Sequence, residues 1–120
     1  MKKILIVDDE EKVRKLVEVT LSVGQFEILH ASTGEEALKI ARENKPDIVL
    51  LDIMMPGELD GFEVCRLLKE DPDTRHIYII MLTAKGQQGD KEKGAASGSD
   101  DYFVKPFSPV ELMDKIDSLT

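Results

Sequence analysis

The chain has 120 residues, which suits a single domain and leaves little room for a second. Acidic side chains number 24 against 16 basic ones, and the net charge of −8 disfavours direct binding to nucleic acids or anionic membranes. The single cysteine excludes an internal disulfide and a cysteine-based zinc cluster. No apolar run is long enough for a membrane span or a signal peptide, so the sequence predicts one cytoplasmic domain over residues 1–120.

Taken in chain order, five short segments have the composition of β-strands. Residues 4–7, 48–51 and 77–82 are continuously apolar, which is typical of strands covered on both faces of a parallel sheet. Residues 26–31 are more mixed and predict a strand nearer an edge. Residues 102–104 predict a short final strand.

Helical patterns fill the gaps between these segments, beginning with an apolar stripe from Val13 to Leu21. Residues 86–97 contain three glycines and little apolar area, and a helix is predicted there because parallel strands need a crossover connection. Five strands alternating with five helices define an α/β fold with a doubly wound parallel sheet. Three helix starts carry a capping-box pattern, namely Thr33 with Glu36, Asp60 with Glu63 and Ser108 with Glu111.

Polar side chains follow the predicted strands at their carboxyl ends, where open parallel sheets bind ligands. The first strand is followed by Asp8 and Asp9, the third by Asp52, the fourth by Thr83 and the fifth by Lys105. Three carboxylates, a hydroxyl and an amine are therefore expected to converge on one edge of the sheet.

These residue types together predict a particular chemistry. Crowded carboxylates repel each other unless a cation joins them, and Mg²⁺ is the hard ion that suits a few carboxylates and several waters. Lys105 adds a positive charge and Thr83 a hydrogen-bond donor, both of which suit phosphate oxygens. Since a carboxylate can attack phosphorus to form an aspartyl phosphate, the set predicts magnesium-dependent phosphoryl transfer to an aspartate.

In five stretches across the whole chain, the sequence resembles the receiver domain of two-component response regulators. The stretches occur in the family's order and at its spacing. The resemblance implies a flavodoxin-like, chemotaxis-regulator-like fold, with five parallel strands in the order 2-1-3-4-5 and five helices. The matching stretches are residues 4–10, 51–56, 82–85, 98–102 and 105–107.

The resemblance also implies roles for individual residues. Asp52 is implied as the phosphoacceptor. Mg²⁺ is implied to bind Asp8, Asp9 and Asp52 together with the backbone carbonyl of Met54.

For the response to phosphorylation, the resemblance implies that Thr83 and Lys105 contact the phosphoryl oxygens and that Thr83 and Tyr102 form a switch. The switch would act on the face made by the fourth helix, fifth strand and fifth helix. The implied partners are a sensor histidine kinase or phosphotransfer protein, a downstream output protein or domain, and a second copy in a phosphorylation-dependent homodimer. Such a module is not an enzyme on other substrates, since it catalyses only its own phosphorylation and dephosphorylation.

Two features depart from the family's pattern. The loop over residues 56–61 is one residue longer than usual, which can shift the start of the third helix but leaves the active positions in register. Ala95 stands where a larger aliphatic residue is usual, which predicts a weak anchor for the fourth helix. Glu10 and Glu11 are interpreted as the acidic first turn of the first helix.

Two other functions share part of the chemistry expected of a receiver. Phosphatases of the haloacid-dehalogenase type also use an aspartate nucleophile and Mg²⁺, but they need a second aspartate where this chain has Met54. A nucleotide- or flavin-binding module needs a glycine-rich phosphate loop after the first strand, where this chain has acidic residues 8–11. Both alternatives are therefore disfavoured by named residues.

Overall fold

The computed structural model describes residues 2–55, 57–84, 89–105 and 107–119. Strands and helices alternate along the chain. The strands are β1 (Lys2–Val7), β2 (Phe26–Ala31), β3 (Ile48–Asp52), β4 (Tyr78–Ala84) and β5 (Asp101–Lys105). The helices are α1 (Glu11–Leu21), α2 (Gly34–Asn44), α3 (Gly61–Glu70), α4 (Asp90–Ser97) and α5 (Pro109–Ser118).

The five strands form one parallel sheet in the order β2-β1-β3-β4-β5. This confirms the predicted fold class and strand order. The sheet register aligns Val7 with Leu51 and Asp52 with Leu82, so the carboxyl ends of the inner strands lie side by side. None of the described helices is long and apolar enough to cross a membrane.

The inner strands are buried on both faces, as their continuous apolar runs predict. Because successive side chains of a strand point to opposite faces, each strand contributes to two hydrophobic clusters. Leu5 and Val7 pack in the cluster under α2 and α3, whereas Ile4 and Ile6 pack in the cluster under α1 and α5. All four side chains are fully buried, which holds the carboxyl end of β1 in place.

All three predicted helix caps are present. The side-chain oxygens of Thr33, Asp60 and Ser108 accept hydrogen bonds from the backbone N–H three residues later, at 3.1, 3.0 and 3.4 Å. At α2, the carboxylate of Glu36 reaches back to the N–H of Ser32 at 2.8 Å. These caps pair backbone donors that would otherwise be unsatisfied, and they fix where each helix begins.

After the longer loop that follows β3, α3 begins at Gly61, directly after its cap at Asp60. The N–H of Gly61 donates to the carbonyl of Ile53 at 3.0 Å. A Cβ atom at Gly61 would lie 2.5 Å from the carbonyl oxygen of Asp52, so only glycine allows the helix to approach the strand this closely. This contact keeps α3 in register with the end of β3.

The helix predicted over residues 86–97 is confirmed for α4, while residues 86–88 lie outside the described part of the chain. Ala95 and Ala96 are exposed, and among residues 92–97 the buried position is Gly94, where a Cβ atom would lie 3.6 Å from the Met81 side chain. The helix therefore approaches the sheet through a residue without a side chain, in agreement with the weak anchor predicted at Ala95.

Candidate functional site

The structure brings Asp8, Asp52 and Lys105 together at the carboxyl edge of the sheet. The Nζ atom of Lys105 lies 2.7 Å from Oδ2 of Asp8 and 3.4 Å from Oδ1 of Asp52. Each residue stands at or just beyond the end of its strand, as the sequence predicts. The ammonium group of Lys105, at the end of β5, thus lies between the carboxylate that follows β1 and the carboxylate that ends β3.

Asp8 is fully buried, and its polar atoms are nonetheless well partnered. Its Oδ1 accepts the N–H of Glu10 at 2.9 Å, and its Oδ2 accepts the ammonium of Lys105. Its own N–H donates to the carbonyl of Ala31 at the end of β2. A buried charge is tolerated only when it is paired and hydrogen-bonded, and these contacts meet that condition.

Asp52 is 5% exposed, and its burial is the main reason that its pKa is raised to about 6. The negative charge of Asp8 raises the pKa of Asp52 further, while the charge of Lys105 and the N–H of Met54, 3.3 Å from Oδ1, lower it. Ionisation of both Asp8 and Asp52 is therefore unfavourable in this site, and a bound cation would offset the repulsion between them.

The same surroundings also raise the pKa of Lys105, although burial acts on an amine in the opposite direction. Burial by itself lowers the pKa of this amine, but its hydrogen bond to Asp8 and the charges of Asp52 and Asp8 outweigh burial and raise the pKa above its usual value. Lys105 is therefore cationic at neutral pH. A fixed positive charge beside two carboxylates suits the oxygens of a phosphoryl group.

The loop after β1 offers oxygen ligands for a metal ion. One carboxylate oxygen each from Asp8, Asp9 and Glu10 lies within 4.8 Å of the others. Hard divalent cations such as Mg²⁺ prefer oxygen ligands, so the donor set fits this ion. Glu10 was interpreted from the sequence as part of the first turn of a helix; it is the N-cap residue of α1 and also belongs to this acidic cluster.

The remaining predicted site residues lie near the same edge. Thr83 is buried in β4, one position beyond Leu82, which is aligned with Asp52. Tyr102 is half-buried on β5 and packs against the cluster under α2 and α3. The side chain of Met54 is exposed, 68% of it to solvent, two residues after Asp52.

Comparison with known proteins identifies the family to which this arrangement belongs. The family model for the response regulator receiver domain matches residues 4–117. Response regulator PleD from Caulobacter vibrioides is 46% identical over 118 residues, which are 98% of this chain and 26% of PleD. A probable transcriptional regulator, ycf27 of Cyanophora paradoxa, is 50% identical over 98% of this chain and 48% of its own length. The chain thus spans less than half the length of these curated relatives.

A solved structure adds to the comparison. The receiver domain of sensor histidine kinase PA1611 from Pseudomonas aeruginosa is 30% identical, with a TM-score of 0.88, covering 98% of this chain and 96% of that one. That structure contains a magnesium ion coordinated in the active-site cleft. This chain belongs to the response regulator receiver domain family, whose members are phosphoacceptor modules of two-component signalling. Membership of this family supports the receiver function and argues against the phosphatase and nucleotide-binding functions.

Proposed function

We propose that Asp52 accepts the phosphoryl group. The observation that carries this proposal is the position of the Lys105 ammonium, 2.7 Å from Asp8 and 3.4 Å from Asp52. Asp52 alone among these carboxylates ends the central strand, and it is nearly inaccessible to bulk water. A buried carboxylate beside a fixed positive charge can attack phosphorus in a site where that charge is poorly screened.

The proposed transfer proceeds in one displacement. A carboxylate oxygen of Asp52 forms a bond to phosphorus while the bond from phosphorus to the donor's histidine nitrogen breaks, and its electron pair returns to the imidazole. Lys105 offsets the charge of the phosphoryl oxygens, and the hydroxyl of Thr83 donates a hydrogen bond to one of them. The domain catalyses only this step and the later hydrolysis of its own aspartyl phosphate.

Magnesium is the proposed cofactor, held by Asp8, Asp9 and Asp52 and by the backbone carbonyl of Met54. The oxygen-only cluster at the β1–α1 loop and the magnesium ion in the relative PA1611 support this assignment. When bound, the ion neutralises phosphoryl charge and orients the phosphoryl group. Each carboxylate oxygen of Asp8 already accepts one hydrogen bond, which fixes the orientation of the group, and its second lone pair can accept a bridging water of the ion.

A mass measurement tests this function. Incubation with acetyl phosphate and Mg²⁺ is expected to add one phosphoryl group to the intact protein, because the site itself supplies the groups that promote transfer. A chelator should prevent the addition. Turnover of acetyl phosphate without any adduct would instead indicate a phosphatase and contradict the proposal.

We further propose that phosphorylation shifts a two-state equilibrium through Thr83 and Tyr102 to the face made by α4, β5 and α5. The shallow burial of α4 and the half-buried position of Tyr102 support this route. Asp101 of β5 and Lys115 of α5 form an ion pair at 2.7 Å. A displacement of β5 would therefore alter a direct contact with α5. The proposed partners are a histidine kinase or phosphotransfer protein as donor, and an output protein, an output domain or a second copy at this face.

Hydrogen exchange tests the switch. Beryllofluoride mimics the phosphoryl group, and its binding is expected to change amide protection over residues 89–97 and at Tyr102, because one new charge-assisted hydrogen bond can reposition weakly held segments. Residues 4–6 of β1 serve as an internal control, since they are fully buried and bind no part of the mimic, so their amide exchange should not change. Unchanged protection at α4 and Tyr102 with beryllofluoride bound would show that the switch lies elsewhere.

A further inference from the structure

Arg14 reaches from α1 back to the acidic loop. Its Nη1 atom donates a hydrogen bond to the backbone carbonyl of Asp8 at 2.6 Å. Its backbone N–H donates to the carbonyl of Glu10 at 3.2 Å. The main-chain bond is the ordinary first-turn bond of α1, whose N-cap is Glu10. The side-chain bond is the specific contact, and it joins α1 to the loop on the strand side of Asp9.

The nitrogens of the guanidinium differ in their contacts. Its Nε atom is buried and has no hydrogen-bond partner among the residues that the structure describes. Glu18 lines the same surface cleft but is engaged by His30 at 2.7 Å. The bond to the Asp8 carbonyl therefore helps to orient this half-buried side chain.

We infer that Arg14 is a positioning residue for the metal site: its hydrogen bond to Asp8 sets the direction in which Asp8 and Asp9 present their carboxylates. This inference rests on the proposed magnesium site. A loop that is already ordered does not have to lose conformational freedom when the ion binds, so its affinity for the ion is higher. Partners that orient metal ligands commonly change affinity by about tenfold or more.

The hydrogen bond of Arg14 is expected to raise the Mg²⁺ affinity, whereas its positive charge is expected to lower it. A guanidinium near the acidic loop repels a cation, so removing the charge alone should strengthen Mg²⁺ binding. Removing the hydrogen bond should weaken binding, because the loop must then be ordered by the ion itself. The sign of the change in Mg²⁺ affinity therefore separates the positioning role from a simple effect of charge, and a merely structural role would lower stability without changing the affinity.

The test compares Mg²⁺ dissociation constants by isothermal titration calorimetry at a temperature where each variant is folded. Arg14→Met, which keeps most of the apolar stem, is expected to raise the dissociation constant about tenfold. Lys15→Met is the matched control, since Lys15 is exposed, lies on the same helix and lines the same cleft. It should leave the dissociation constant unchanged or lower it. An unchanged or lower constant for Arg14→Met overturns the inference.

Arg14→Lys covers the case in which Arg14→Met does not fold. Lysine keeps the charge, but its ammonium nitrogen ends one bond short of the Nη1 position, so the bond to the Asp8 carbonyl is lost or stretched. Weaker Mg²⁺ binding by this variant supports the positioning role, and binding equal to wild type overturns it. Asp9→Ala, measured in parallel, tests the metal site itself: if Asp9→Ala binds Mg²⁺ normally, the site assignment is wrong, whatever the Arg14 variants show.

Discussion

Asp52→Asn is expected to abolish labelling by acetyl phosphate and, at neutral pH without metal, to raise the stability of the domain. The loss follows because the amide has no carboxylate oxygen that can attack phosphorus. The gain follows because the folded state holds the ionised Asp52 in a buried position close to Asp8. Intact-mass measurement and thermal unfolding, made on the same samples, check both expectations.

The pH dependence of this gain has a definite sign. The pKa of Asp52 is about 6 in the folded state, above the ordinary aspartate value of 3.8, so folding favours the protonated form. The stability that this gives is present below about pH 4 and is lost as the pH rises towards 6. A pKa difference of this size corresponds to at most about 3 kcal/mol, and about 1–2 kcal/mol is expected for asparagine, which forgoes the charge interaction with Lys105.

The stability difference between wild type and Asp52→Asn should therefore widen between about pH 4 and pH 6 and stay constant above that range. Asp114→Asn is a matched control, because it makes the same chemical change at an exposed position of α5. It should leave labelling intact. Labelling of Asp52→Asn at the wild-type level would assign the phosphoryl group to another residue.

Asp9→Ala is expected to lose both Mg²⁺ binding and magnesium-dependent phosphorylation. Asp8 is fully buried, and both of its carboxylate oxygens accept hydrogen bonds from Glu10 and Lys105. Asp9 is exposed and belongs to the same cluster, so it is the carboxylate that can turn towards an ion. Its removal should raise the Mg²⁺ dissociation constant by roughly tenfold or more.

Calorimetry with Mg²⁺ and labelling by acetyl phosphate measure these two effects. Glu11→Ala is the control, since it removes an exposed carboxylate just beyond the cluster, in the first turn of α1. It should reduce binding only slightly, through the weaker long-range attraction of one charge. If Asp9→Ala retained normal magnesium-dependent labelling, the metal would have to bind elsewhere.

Much of the fold could be predicted from local sequence patterns. The continuous apolar run at residues 48–51 requires cover on both faces of a sheet, and this indicates a parallel α/β architecture. The caps at Thr33, Asp60 and Ser108 depend on hydrogen bonds that span only three residues, so their motifs are readable without any tertiary information. Asp8 and Asp52 both follow predicted strands, and the carboxyl ends of parallel strands meet at one edge of the sheet. This was sufficient to predict that the two carboxylates lie at the same edge.

What only the tertiary structure decided depends on contacts between distant residues and on burial. Lys105 and Asp8 are 97 positions apart, and their 2.7 Å contact follows from the pairing of β1, β3, β4 and β5 in one sheet. The raised pKa of Asp52 comes from burial and neighbouring charge, neither of which a sequence pattern measures. Likewise, Arg14 has an unremarkable position in a helical pattern, and its link to the Asp8 carbonyl exists because α1 folds back beside the loop that precedes it. Local motifs determined which residues reach the site, and long-range packing determined their charge and orientation there.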